Sequence, residues 1–153
     1  MIKTIQGNIL EATAGIIVHG CNAQGGPVGG LAKAIFDQYP AAQTAHENLV
    51  YAYTDKMSML GKCSYYRTSN PNLIICNAVT QLFPGAGSLS YDAIESCFKE
   101  VATLMEVISS TEGSMPILFP KIGAGIAGGN WNIIEMIIDE TVGKDHECIL
   151  YVL

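Results

Sequence analysis

Charge is scarce in this sequence. Of 153 residues only 14% are Asp, Glu, Lys or Arg, against roughly 25% in an average globular chain. Eight Lys and Arg oppose fourteen Asp and Glu, giving a net charge of -6, and no basic stripe is present. That balance argues against nonspecific binding of nucleic acid or of an anionic membrane surface. No apolar run reaches the roughly 18 residues that a membrane-spanning helix needs. The opening MIKTIQGNIL has neither the apolar stretch nor the small-residue cleavage site of a secretory signal. Five cysteines (Cys21, Cys63, Cys76, Cys97 and Cys148) are odd in number and contain no C-x-x-C pair. Neither a disulfide framework nor a zinc site is therefore expected. Together these absences point to a reducing, cytoplasmic compartment and to a protein that uses no metal and no cofactor. Cys21 is the one thiol in a polar loop, where a small residue at a crowded strand end explains it.

What is present is enough apolar residue for a core: 49% of the chain is hydrophobic. A domain of this length buries about 68–70% of its unfolded surface and needs no covalent staples. Short β-rich runs over 2–5, 15–19, 62–67, 73–78, 117–120 and 147–152 alternate with helical patterns over 30–39, 42–57, 90–109 and 131–141. Three of the strands are near-continuous apolar runs, as expected where a sheet is covered on both faces. In the third helix Ile94, Cys97, Phe98, Val101, Leu104, Met105 and Ile108 recur every three or four residues, with Ser90 and Asp92 at its start. This alternation predicts one α/β domain over 1–153 with a mixed, largely parallel sheet of about six strands. No linker divides it, and a monomer is expected.

The sixteen glycines are unevenly placed. Eleven lie in three loops: Gly20, Gly25, Gly26, Gly29 and Gly30 in the first, Gly85 and Gly87 in the second, and Gly123, Gly125, Gly128 and Gly129 in the third. Each loop follows a predicted strand and precedes a predicted helix, so all three should gather at the carboxyl ends of the strands, where open α/β sheets bind ligands. Glycine lets backbone amides approach an anion, and the helix start that follows adds about half a positive charge.

Two phosphate motifs do not fit. Gly123-Ala124-Gly125-Ile126-Ala127-Gly128 matches G-x-G-x-x-G, yet a dinucleotide fold needs a further strand and an acid about 20 residues on, and here the next strand is the last. No G-x-x-x-x-G-K-[ST] occurs, since Gly61-Lys62 is followed by Cys63 without the upstream glycine. His46 and His146 stand in polar stretches and are expected at the surface.

The opening IKTIQGNIL, the run VHGCNAQGGPVGGLA over 18–32 and FPKIGAGIAGGNW over 119–131 together resemble the macrodomain family, a three-layer α/β/α module that binds ADP-ribose. The likeness extends over the whole chain, including LGKC, NAVTQ and the final ILYVL. It is greatest for the small branch that holds the ADP-ribose-1″-phosphate phosphatases and the terminal ADP-ribose-glutamate hydrolases.

The resemblance implies a small-molecule ligand and a set of residues for it. Asn8, between Gly7 and Ile9, would meet the adenine, although many members have Asp there. Asn22 would touch the distal ribose, with His19 beside it. Gly29, Gly30, Leu31 and Ala32 match the second half of a glycine loop on the diphosphate, whose first glycine is Val28 here. Ile122, Gly123, Ala124, Gly125, Ile126 and Ala127 match the second phosphate loop, and Thr80 joins the ligand set. The Lys and Asp of the terminal-glutamate hydrolases correspond to Gln81 and Ala127, so covalent lysine chemistry has no group to run on. What survives is hydrolysis of ADP-ribose-1″-phosphate, with Asn22 fixing the ribose or a water and His19 acting as proton donor or water-positioning group. Asp92 is a second candidate base, better explained as helix capping. Two other readings stay open: a binding module without turnover for ADP-ribose or a related NAD-derived signal, and deacylation of ADP-ribosyl esters.

Overall fold

The computed structural model describes residues 1–26 and 28–153, so Pro27 of the first glycine loop lies outside the described residues. Chain order is β1 (Ile2–Gln6), β2 (Gly15–Asn22), α1 (Gly30–Gln38), α2 (Pro40–Ala52), β3 (Cys63–Arg67), β4 (Leu73–Gln81), α3 (Tyr91–Glu112), β5 (Ile117–Phe119), α4 (Trp131–Ile138) and β6 (Cys148–Val152). The six strands form one sheet in the order β1-β6-β5-β2-β4-β3. Every neighbouring pair is parallel except β3 with β4. The expected mixed, largely parallel sheet is what the chain forms.

Period-2 alternation along the central strands divides the core between the two faces. Ile16 and Val18 of β2, with Ile74 and Cys76 of β4, pack against Phe98, Val101 and Met105 of α3 and Ile134 and Ile138 of α4. Ile17 and Ile75 face the other way, against Ile35 and Phe36 of α1 and Ala42 of α2. Helix α3 buries the stripe that its spacing predicts, Leu104 excepted, which is half-buried. Its start is capped as expected, the Ala93 amide donating to Ser90 Oγ at 3.0 Å.

Four boundaries differ from expectation for identifiable reasons. Pro40 does not simply end α1 but occupies the first turn of α2, where its missing N–H costs nothing; Tyr39 caps both helices. Helix α4 stops at Ile138 and continues as one wider turn over Asp139–Gly143, where a β-carbon on Gly143 would lie against the Asp139 carboxylate. Strands β2 and β4 run three residues beyond their apolar stretches, to Asn22 and Gln81. Each supplies the other's hydrogen bonds, and the polar pair His19 and Asn77 sits directly across the ladder. Among the described residues no helix is long and apolar enough to cross a membrane.

Phe98 is fully buried and meets Phe119 edge-on, ring centroids 5.7 Å apart, which ties α3 to the sheet centre. Phe98→Ala is expected to cost about 3–5 kcal/mol, read as a fall in the urea midpoint with an unchanged slope. A loss under 1 kcal/mol, on the same scale, would show that this contact does not anchor the layer.

Candidate ligand cleft

The carboxyl ends of β2, β4 and β5 release the three glycine loops on one edge of the sheet, and a cleft opens between them. One cavity of about 370 Å³ is lined by the strand ends His19, Cys21, Asn22, Thr80 and Gln81, by Val28 through Ala32, by Gly85, and by Lys121, Ile122, Gly123, Gly125, Ile126 and Ala127. A second, of about 350 Å³, is lined by Gly7, Asn8, Ile9, Tyr151 and Val152. Leu31, Pro120 and Lys121 line both, so the two cavities share a wall. The residues expected around an extended ligand, Ala124 excepted, thus line two adjoining compartments.

Backbone donors dominate the first cavity. Across 123–127 the amides of Gly123, Gly125, Ile126 and Ala127 have no protein acceptor among the described residues. The loop is held by its other amides: Ile122 donates to Pro120 O at 2.7 Å, Ala124 to Lys121 O at 3.1 Å and Gly129 to Gly123 O at 2.8 Å. That last closure needs glycine, because a β-carbon on Gly129 would lie 2.6 Å from Gly123 O. Facing this loop, α1 begins without a side-chain cap, leaving the first-turn amides of Gly30, Leu31 and Ala32 unpaired with the helix. Gly30 enters the helix at φ +58°, a left-handed turn that an L side chain resists. No carboxylate lines either cavity among the described side chains, and Lys121 is the one formally charged side chain. Such a surface attracts an anion through dipoles rather than ion pairs.

Ala124 does not take the expected ligand-facing place. Its methyl packs against the core beneath α3 and α4, and its amide is spent in the turn, so it shapes the loop from behind. Ile122 contributes its side chain to that same core while lining the cleft. Asn8 accepts the Leu10 amide at 3.0 Å and caps a short helical turn in the second cavity. Val28, at the position of the family's first loop glycine, is half-buried against the core between α1 and the sheet and borders the first cavity. Asp92 lies in the first turn of α3 and is not part of the cleft.

His19 is 1% exposed. Asn77 Nδ2 donates to Ala42 O at 2.8 Å and Ser64 Oγ at 3.1 Å. Its Oδ1 must therefore accept, which places the imidazole proton on His19 Nε2, 2.6 Å away. Nδ1 faces the Cys21 thiol at 4.0 Å, and Phe36 meets the ring edge-on at 5.4 Å. Burial pushes the imidazole down to about 4, the Asn77 hydrogen bond opposes this, and nearby His46 adds to it. The ring is thus neutral at pH 7 with its one proton committed to Asn77, which is the geometry of a positioning residue rather than a proton donor. Burial raises the Cys21 thiol far above its ordinary range, which disfavours the thiolate. Thr80 is fully buried, and its hydroxyl has no partner among the described residues; a β-carbon on Gly20 would stand 3.0 Å from it.

His46 departs from the surface position expected of it. It is 2% exposed and stacked on Phe36 at 6.2 Å, and burial lowers its pKa. The polar residues around it in sequence cover the outer face of α2, while position 46 falls on the inner one. A signal was available, since Ala42 and His46 are one helical turn apart.

The comparisons place this geometry among known proteins. No family model matches the chain. It is 34% identical over 152 residues to an uncharacterized 17.5 kDa protein in the tk-vs intergenic region of enterobacteria phage T4, covering 94% of this chain and 92% of the relative. It is 26% identical over 167 residues to the ADP-ribose 1″-phosphate phosphatase of Saccharomyces cerevisiae, covering 93% of each. The solved macrodomain of Thermus aquaticus DarG superposes with a TM-score of 0.80 over 100% of this chain and 99% of its own, at 22% identity, a likeness of fold.

Both buried histidines bear on acid stability. Unfolded, His19 takes up a proton near 6.5, whereas folded it does so only near 4. The unfolded state therefore binds more protons between those values. Stability is full above about pH 6.5 and is lost as the pH falls toward 4, with His46 acting in the same direction. His19→Gln keeps a donor for Asn77 and cannot titrate. Its Tm should change less than the wild type's between pH 7 and pH 4, and identical profiles would remove His19 from the account.

Proposed function

The chain belongs to the macrodomain family, in the branch that includes the ADP-ribose 1″-phosphate phosphatases, and from that premise we propose that its cleft binds ADP-ribose derivatives and hydrolyses ADP-ribose-1″-phosphate. The observation that carries the proposal is the set of unpaired amides of Gly123, Gly125, Ile126 and Ala127 facing the uncapped start of α1 across one cavity. In this reading the diphosphate lies between those two groups, with Lys121 at the wall shared with the second cavity. The adenosine extends toward Gly7, Asn8 and Ile9, and the distal ribose toward Asn22 and the ends of β2 and β4. Water attacks the 1″-phosphorus, the bond from phosphorus to the sugar oxygen breaks, and ADP-ribose leaves with the proton that the water gives up. Asn22 steadies the ribose or the attacking water. His19 acts from behind as a positioning residue, holding the strand end that carries Cys21 and Asn22.

A second reading, binding without turnover, has its own support: among the described residues no Asp or Glu side chain lines the cleft, and His19 has no free proton to transfer. One experiment separates the two. Purified protein is incubated with ADP-ribose-1″-phosphate in the presence of a chelator, and calorimetry with ADP-ribose runs in parallel. Phosphate release above the uncatalysed rate supports the phosphatase. Binding of ADP-ribose with no release supports the binding module. No binding at millimolar ADP-ribose overturns both. Gly129→Ala, which breaks the closure of loop 123–129, is expected to weaken ADP-ribose binding at least about tenfold, some 1.4 kcal/mol, and unchanged affinity would remove that loop from the site.

A further inference from the structure

Residues 22 and 81 stand opposite each other where the parallel ladder of β2 and β4 slips by one residue. Both line the first cavity, and each ends in a carboxamide that could face either way. Backbone groups decide the orientation, because a peptide N–H can only donate and a carbonyl can only accept. Asn22 Oδ1 accepts the Gln24 amide at 2.9 Å. Gln81 Nε2 donates to Phe83 O at 2.8 Å and to Gly85 O at 3.1 Å. What remains is Nδ2 of Asn22 and Oε1 of Gln81. Neither has a partner among the described residues, and neither is among the sealed, unpaired atoms of the fold. The Ala23 amide donates to Gln81 O at 3.0 Å, and Gln24 Nε2 donates to Leu82 O at 3.0 Å, so the two carboxamides are fixed to one frame.

We propose that Gln81 is a specificity-determining residue that works as a pair with Asn22, one neutral donor beside one neutral acceptor, and that the pair reads hydroxyl groups of the ligand's distal sugar. This rests on the ADP-ribose reading above and deepens it. A hydroxyl both donates and accepts, so adjacent hydroxyls satisfy Oε1 and Nδ2 together. A phosphate or carboxylate oxygen has no proton for Oε1 and is repelled by it. The pair therefore accepts the neutral face of the sugar and directs any anionic group toward the free amides of 123–127. The same carboxamide that reads the sugar also clamps the 83–87 loop through its Nε2, so loop position and recognition depend on one side chain.

The test uses two ligands, ADP-ribose and its analogue lacking the 2″ and 3″ hydroxyls, titrated calorimetrically into wild type, Gln81→Met and Gln81→Glu. Wild type is expected to bind the dideoxy analogue about tenfold more weakly than ADP-ribose. Gln81→Met loses the acceptor together with both donations to the loop, so whatever it costs both ligands, its preference for ADP-ribose over the analogue should collapse from about tenfold toward one. Gln81→Glu keeps an acceptor oxygen but loses both donations to the loop, so it should still prefer ADP-ribose even if both affinities fall. A purely structural clamp predicts that Gln81→Met weakens both ligands equally, and that result overturns the proposal, as does a wild type that binds both alike. A wild type that binds neither ligand overturns the ADP-ribose reading itself, and this inference with it.

Discussion

The hydrogen bond between His19 and Asn77 is the contact on which the rest of the cleft depends. Both residues sit in the interior of the sheet, on adjacent parallel strands and in direct register. An unpaired buried polar group costs about 1–3 kcal/mol, so two such residues are tolerated in the interior only because they meet. Their pairing, extended by Asn77 to Ala42 O and Ser64 Oγ, lets β2 and β4 continue past their apolar stretches. The strands then deliver Asn22, Thr80 and Gln81 to the edge where the glycine loops leave. Without that continuation the loops would begin lower, and Asn22 and Gln81 would not face each other.

Beyond the strand ends, the cleft is made mostly of backbone. Loop 122–129 spends some amides on its own turns and leaves others free, an arrangement that requires glycine at the point of closure. Helix α1 starts uncapped on the opposite side. This is how an acidic chain can present an anion-binding surface with one lysine and no arginine among the described lining residues: each free amide carries a fixed partial charge, and no Asp or Glu side chain stands there to repel an anion. The low charge content and the glycine clustering are thus two aspects of one design.

Much of this was legible in the sequence, and the parts that were not share a cause. The alternation of β and α patterns, the amphipathic stripe of α3, the glycine loops and the shared edge followed from periodicity and turn chemistry, which are local. The ends of β2 and β4 are not legible in the sequence because their last residues are polar, and only a strand partner makes polar residues acceptable there. The polar sequence neighbours of His46 point it to the surface, although Phe36 and the packing of α1 against α2 set its surroundings. The resemblance groups Ala124 with its loop, yet its methyl packs against the core. A proton-donor role for His19 could be written for an isolated imidazole, not for one whose proton is held by Asn77.

The sequence by itself determined the class of fold and the edge where the loops collect, because hydrophobic spacing and glycine placement act over a few residues, and its motifs carried the resemblance to the family. Only the tertiary structure decided what each polar side chain can offer. His19 became a buried support, Asn22 a donor and Gln81 an acceptor because groups far away in the chain took up their other hydrogen-bonding positions. Which face of a carboxamide is free, or whether a ring nitrogen keeps its proton, depends on partners that sequence spacing does not reveal.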